Sequence, residues 1–422
     1  MAGLLLKNCW IVDPSQNLNT KGDILIERGK IKSLGRARTS GSVKTFDAKG
    51  CLVIPGVVDI HTHLREPGQE HKETIRTATE AALSGGVTSV CCMANTSPVN
   101  DNPTVTRYIL QKASLEARVD VYPIGAVTKG LQGKELAELG LMVEAGCVAF
   151  SDDGHPIMDS MVMKRALEYL KRFDRVLISH CEDKSLSAGG TMNEGPVSYK
   201  LGLRGIPSEA EVIMIKRDIE LASLTGGKLH IAHVSTRGGV EAIRQAKKAG
   251  IPVTAETCPH YFLLTDEAVE DYNTMAKVNP PLRSKKDLEA IIEGLSDGTI
   301  DVIASDHAPH HRDEKLCEFD RAAFGISGVE TLLLLSLELY HKKVLSIEEL
   351  ARKLTINPAN VVGIPKGTLK TGAQADLVVV DLNSRTTIDA SRFLSLGKNT
   401  PFHNWTVNSR IVARVFKGKL YQ

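Results

Sequence analysis

From Val57 onward the chain alternates short runs of β-branched and apolar residues with longer amphipathic stretches, and this alternation predicts strands and helices in regular succession. The expected strands are 57–63, 88–95, 120–127, 146–153, 175–180, 228–234, 252–258 and 301–306. Between them, 74–84, 161–173, 208–225 and 239–248 carry apolar positions at helical spacing, several followed by the glycine that commonly ends a helix. Strand–helix alternation implies parallel strands joined by right-handed crossovers. Eight such units favour an α/β fold of the closed (β/α)8 TIM-barrel type over an open sheet. An open dinucleotide-binding sheet is also disfavoured because no Gly-x-Gly-x-x-Gly follows the first strand.

The two ends of the chain are patterned differently. Segments 4–12, 22–31 and 44–53 read as short alternating strands broken by Gly and Asp, and 372–380 and 410–420 resemble them, while the helices stop near Gly363. Pairing of these pieces into one sheet is the economical arrangement, with the barrel as an insertion. The expected organisation is a small β-sandwich domain built from 1–53 and 366–422 around a barrel of 54–365.

The last positions of the barrel strands collect residues of one chemical kind: His61 and His63, Asn95, Asp153, His180, His233 and Asp306, with Cys258 and His260 just after the seventh strand. Alternate side chains share a face of a strand, so His61 and His63 project together. Strand C-termini surround a single mouth in a barrel, which lets residues far apart in sequence meet around one ligand. Imidazoles and carboxylates suit Zn2+ and similar divalent ions, and four histidines with two carboxylates exceed what one ion needs. The sharper expectation is two ions about 3.5–4 Å apart, joined by a carboxylate, that bring bound water towards neutral pKa and so make a hydroxide nucleophile. An aspartate ending the eighth strand, Asp306, can bind metal, accept the proton of the attacking water and return it to a leaving nitrogen. The bland alternative is a polar barrel rim satisfied by its own hydrogen bonds; six ligand-type residues at the same ends of five strands argue against it.

Composition narrows the partner. Lys and Arg total 52 against 50 for Asp and Glu, and a net charge of +2 gives no extended field for nucleic acid or an acidic membrane. A small molecule is the expected partner. The N-terminal residues show no basic region ahead of a long apolar stretch, and no window reaches the 18–20 apolar residues of a membrane span. The eight cysteines are scattered without a Cys-x-x-Cys, which fits a reducing cytoplasm, with Cys91, Cys92 and Cys147 read as small buried residues.

The motifs His61-Thr62-His63-Leu64-Arg65-Glu66-Pro67-Gly68, Cys92-Met93-Ala94-Asn95-Thr96, Phe150-Ser151-Asp152-Asp153-Gly154 and Ser179-His180-Cys181-Glu182 follow one another along the chain. Val278-Asn279-Pro280-Pro281-Leu282-Arg283 and Ser305-Asp306-His307-Ala308-Pro309-His310 complete the series. The whole series resembles that of the dihydroorotases, amidohydrolase-superfamily enzymes of pyrimidine synthesis. The resemblance implies metal binding by His61, His63, Asp153, His180, His233 and Asp306, with one or two Zn2+ per subunit, Asp153 as the bridge and Asp306 as acid and base. It further implies that His63, Arg65, Asn95, Asn279, His310 and the backbone around Phe324 and Gly325 hold the substrate. The implied reaction is the reversible cyclisation of N-carbamoyl-L-aspartate to (S)-dihydroorotate in de novo UMP synthesis. Homo-oligomeric assembly and association with aspartate carbamoyltransferase are the implied protein contacts.

Many superfamily members bridge their metals with a carboxylated lysine, whereas the fourth strand here ends in Ser151-Asp152-Asp153, as in the bacterial-type subgroup. The choice of Asp153 over Asp152 rests on the motif. Arg65 supplies a planar fork suited to the carboxylate that dihydroorotate carries outside its ring. Asn95 and Asn279 either bind ring amides or cap turns, and His260, His307 and His311 are read as supporting residues. Two rivals stand beside this reading: an allantoinase or dihydropyrimidinase, and a non-catalytic barrel serving as a scaffold for aspartate carbamoyltransferase. Loops 154–160 and 311–324 are candidates for ordering by a partner.

Overall fold

The computed structural model describes residues 3–35 and 43–422; the first two residues and 36–42, which fall inside the expected N-terminal segment 1–53, lie outside the described residues. Eight central strands are numbered here in chain order: β1 Val57–Thr62, β2 Val87–Cys92, β3 Asp120–Gly125, β4 Ala149–Phe150, β5 Val176–Ser179, β6 Leu229–Ile231, β7 Val253–Thr257 and β8 Val302–Ile303. They lie side by side in sequence order and every neighbouring pair is parallel. The ring closes past β8, where Thr62 bridges His307 and the His63 N–H donates to the His307 carbonyl at 2.8 Å. This is the expected (β/α)8 barrel.

Helices cover the outside, and two of them show how an apolar stripe and a capped start produce them. Thr74 caps Ile75–Ser84 and Thr236 caps Arg237–Lys248, each accepting a backbone N–H of the first turn; Val240, Ile243 and Ala246 of the second helix are buried. With a helical layer outside and packed side chains inside, the β1 and β2 residues are buried without alternation. Val58, Ile60, Cys91, Ile124, Val176, Ile178 and Val302 form a cluster that also takes in Ala359 and Val362 of the helix Ile356–Val362. Cys91, Cys92 and Cys147 are buried as expected.

Both ends of the chain meet in one eight-stranded sheet, in which Leu52–Pro55 pairs antiparallel with Leu377–Asp381. Its core, including Leu6, Ile11, Ile24, Leu377 and Val415, is separate from that of the barrel. Three expected strands of this region are each broken in two. Arg28-Gly29, Lys49-Gly50 and Lys417-Gly418 all take positive φ, between 50° and 83°. At Arg28-Gly29 and Lys417-Gly418 this reverses the chain into antiparallel hairpins, whereas at Lys49-Gly50 it only interrupts the strand, since Val43–Asp47 and Leu52–Pro55 both run parallel to Gly3–Asp13. Several barrel strands are shorter than expected at their C-terminal ends. Residues 151–153, for example, leave the ladder after Phe150, because Asp152 turns back to accept the N–H groups of Val127 and Thr128. No helix among the described residues is long and apolar enough to cross a membrane.

Candidate metal centre and substrate cavity

The shortening of the strands sets up the site: His63, Asp153, His180, His233 and Asp306 follow the last residues of their strands, where side chains are free to turn into the barrel mouth. Arg65, His233 and Asp306 adopt φ of 61°, 33° and 46°. Such backbone is uncommon outside glycine and gathers at functional sites.

Asp153 sits among the four histidines. Its Oδ1 lies 3.5 Å from His61 Nε2, 3.5 Å from His180 Nδ1 and 3.4 Å from His233 Nε2, and its Oδ2 lies 3.5 Å from His63 Nε2. Asp306 Oδ1 approaches His61 Nε2 and His63 Nε2 at 3.5 and 3.4 Å. His180 Nδ1 and His233 Nε2 are 2.9 Å apart. Ligand-type atoms of His61, Asp153 and His233, and of His61, His63 and Asp306, form two groups whose members all lie within 4.8 Å of one another. Asp152 is not part of the cluster; its carboxylate is occupied by Val127, Thr128 and the Thr128 hydroxyl. Geometry thus separates the two aspartates, which in the sequence only the motif told apart.

Outer hydrogen bonds orient three of the rings. His61 Nδ1 donates to Glu256 Oε1 at 2.5 Å, His63 Nδ1 to Asn95 Oδ1 at 2.9 Å and His180 Nε2 to Glu182 Oε2 at 2.9 Å. Each ring therefore turns its other nitrogen towards the carboxylates. His61 Nε2 is fully buried, faces two carboxylates and has no hydrogen-bond partner. A cluster of inward-facing imidazole nitrogens and carboxylate oxygens with such an orphan fits a divalent cation, and imidazole ligands held by outer carboxylates are the usual second layer of such centres.

The electrostatics agree. Burial opposes ionisation of Asp153, but the charge of His61 and hydrogen bonds from His180 and His233 outweigh it and hold the carboxyl well below its ordinary range. Asp306 is likewise lowered against burial by His61 and His63. Burial disfavours the charged form of His61, yet Glu256, Asp153 and Asp306 push its pKa well up; His180 rises to about 9 against burial through Asp153 and Glu182. The cluster wants positive charge.

The cavity above these residues has a volume of about 530 Å³. Arg65, Asn95, Asn279, His310, Phe324 and Gly325 all line it. The Arg65 guanidinium is buried and anchored through Nε to the Pro309 carbonyl at 3.2 Å; burial lowers its pKa only to about 10, so it stays charged. His310 Nε2 donates to the Phe324 carbonyl at 2.8 Å, and burial with the charges of Arg65 and Lys72 drops its pKa to about 3, leaving a neutral ring. The Gly325 N–H is committed to the Lys277 carbonyl at 2.9 Å. Asn279 donates to Glu182 Oε2 at 3.0 Å. His260 is buried with a pKa pushed down to about 4 by burial, His307 lies 3.6 Å from Glu73, and His311 is largely exposed.

Sequence reasoning missed three contributors. Glu256 was visible as an acid inside a strand otherwise made of apolar residues and threonine, and Glu182 stood in the quoted Ser179–Glu182 motif. Asn399, from a C-terminal loop, contacts the backbone of His310 and Gly325 and left no local signal.

Comparison with known proteins agrees with this site. A dihydro-orotase-like family model matches residues 50–239, and an amidohydrolase family model matches 326–419. The chain is 54% identical to a dihydroorotase of Syntrophus aciditrophicus, over 99% of this chain and 98% of that protein. It is 52% identical to one of Acetivibrio thermocellus, with the same coverage. Among solved structures, the L-hydantoinase (dihydropyrimidinase) from Arthrobacter aurescens superposes with a TM-score of 0.89 at 29% identity, covering 100% of this chain and 96% of that one. Near-complete alignment at such identity leaves one family, and the chain belongs to the dihydroorotases of the metal-dependent amidohydrolases.

Proposed function

We propose that this protein is a zinc-dependent dihydroorotase interconverting N-carbamoyl-L-aspartate and (S)-dihydroorotate in pyrimidine synthesis. The observation that carries the reading is a charged, buried Arg65 in the same cavity as the carboxylate–imidazole cluster. A guanidinium there suits a substrate bearing a carboxylate beside a hydrolysable ring amide. His61, His63, Asp153, His180, His233 and Asp306 would hold the cation or pair of cations, and the imidazole-rich donor set favours zinc. Bound there, the cation supplies Lewis acidity that polarises a ring carbonyl and acidifies water.

The residues supply the remaining steps. Arg65 binds the exocyclic carboxylate, and Asn95, Asn279 and neutral His310 fix the ring beside it. In hydrolysis Asp306 accepts a proton from water as its oxygen adds to the ring carbonyl carbon. The carbon–nitrogen bond then breaks, and the same proton passes from Asp306 to the departing nitrogen. Cyclisation runs these transfers in reverse.

The reading assigns the chemistry to a barrel of 54–365 within a sheet domain of 1–53 and 366–422. It extends to a homo-oligomer in a reducing cytoplasm, supported by eight free cysteines, with aspartate carbamoyltransferase as a candidate partner. Initial rates on dihydroorotate, allantoin and hydantoin test the substrate directly. Dihydroorotate is expected to be turned over at least about tenfold faster than the rings lacking a carboxylate, since a charged hydrogen-bond partner of Arg65 is lost with them. Preference for hydantoin would favour the dihydropyrimidinase rival, and inactivity on all three would favour the scaffold.

A further inference from the structure

Strands Leu377–Asp381 and Arg410–Phe416 are antiparallel neighbours in the terminal sheet, yet the chain between them makes the long excursion 382–409. A connection of a few residues suffices for such a pair, and longer loops in compact folds are commonly functional. This one reaches the barrel mouth. Leu394 and Ser395 donate their N–H groups to Glu330, and the Ser395 hydroxyl and Leu396 N–H bind Glu73. Asn399 then enters between the two segments that frame the substrate cavity.

Every hydrogen-bonding position of the Asn399 amide is filled. Oδ1 accepts from the His310 N–H and the Ser327 hydroxyl, each at 2.9 Å, while Nδ2 donates to the carbonyls of Ala308 at 3.1 Å and Gly325 at 3.0 Å. Its own carbonyl accepts the Ser327 N–H at 2.7 Å. The side chain is buried, and an amide with two acceptor and two donor sites can do no more. The packing leaves no slack: a Cβ on Gly397 would stand 2.5 Å from Pro309 Cβ and 2.8 Å from the His310 nitrogen.

We propose that Asn399 is a positioning residue for substrate recognition. It clamps segment 308–310 to segment 325–327, so that the excursion 382–409 makes the terminal sheet domain part of the substrate site. The inference rests on the reading that Arg65, His310 and the Phe324–Gly325 backbone bind substrate. Asn399 touches none of the proposed metal ligands, so its loss should act on binding rather than on the metal or proton transfer.

The discriminating variant is Asn399→Asp. It keeps the shape but aims a carboxylate oxygen at the carbonyls of Ala308 and Gly325, replacing two donated bonds by repulsion. Metal content, kcat and KM for dihydroorotate, and hydrogen–deuterium exchange of 307–310 and 324–328 are measured beside wild type and the surface control Lys398→Ala. Expected are faster exchange in those two segments, a KM raised by about tenfold or more, unchanged metal content and a kcat within about threefold. Wild-type KM or undiminished protection of both segments would overturn the proposal. Should wild type fail to turn over dihydroorotate, the functional reading falls while the exchange data still decide the clamp. If Asn399→Asp does not fold, Gly397→Ala, whose Cβ would crowd Pro309, the His310 nitrogen and Asn399 Oδ1 and so strain the same clamp while keeping the amide's chemistry, is held to the same outcomes. Global unfolding of both would overturn the proposal by making this a general stability contact.

Discussion

Asp306→Asn is expected to lower kcat for dihydroorotate hydrolysis by about 10²–10⁴-fold, the range a positioned general acid–base group supplies. The substitution preserves side-chain shape and leaves one carbonyl oxygen facing His61 and His63, which Asp306 now meets at 3.5 and 3.4 Å. It removes the negative charge and, with it, the capacity to take a proton and return it. Metal content measured on the same samples separates the two roles: near-normal metal with collapsed turnover assigns proton transfer to Asp306. Wild-type-like kcat would refute that role.

Glu256→Gln is expected to weaken zinc affinity by about 10–100-fold, the usual cost of losing a carboxylate behind a metal-binding imidazole. Glu256 is fully buried in β7 and holds His61 Nδ1 through Oε1, while His230 Nε2 lies 3.3 Å from Oε2 and His230 Nδ1 pairs with the Thr254 hydroxyl at 2.8 Å. Burial raises the cost of its charge, but His61 and His230 hold its carboxyl far below the ordinary range, so it stays ionised and reinforces the His61 lone pair facing the site. A glutamine keeps the packing and loses the charge. Chelator-competition titration reads the change in affinity; an unchanged dissociation constant would reduce Glu256 to a packing residue.

Much of this was legible in the sequence because it follows from periodicity. The order of eight strands, the His61–His63 pair on one strand face and the gathering of Asp153, His180, His233 and Asp306 at one rim all require only strand spacing and barrel geometry. What was misread depends on the backbone leaving its pattern. Arg28-Gly29 and Lys417-Gly418 reverse the chain through positive φ and Lys49-Gly50 interrupts it, at places where apolar residues on both sides suggest continuous strands. Asp152 and Asp153 were told apart by the motif alone, and the physical distinction, the bonds from Val127 and Thr128 to Asp152, lies in the tertiary structure. Asn399 acts on residues in the 308–327 region through a tertiary contact that no local pattern announces.

The fold also explains why one scaffold can serve related ring-opening reactions. The cluster of acids and imidazoles is carried by strand ends, whereas Arg65, His310 and Phe324–Gly325 sit on loops beyond them. On the proposed reading, reaction chemistry and substrate choice are thereby held by different elements.

Anomalous diffraction at the zinc edge, from crystals of protein purified without added metal and shown to turn over dihydroorotate, tests the central claim most directly. The account predicts one or two peaks within about 2.0–2.2 Å of ligand atoms drawn from His61, His63, Asp153, His180, His233 and Asp306. An active protein with no peak there, or with its metal bound elsewhere, would contradict it.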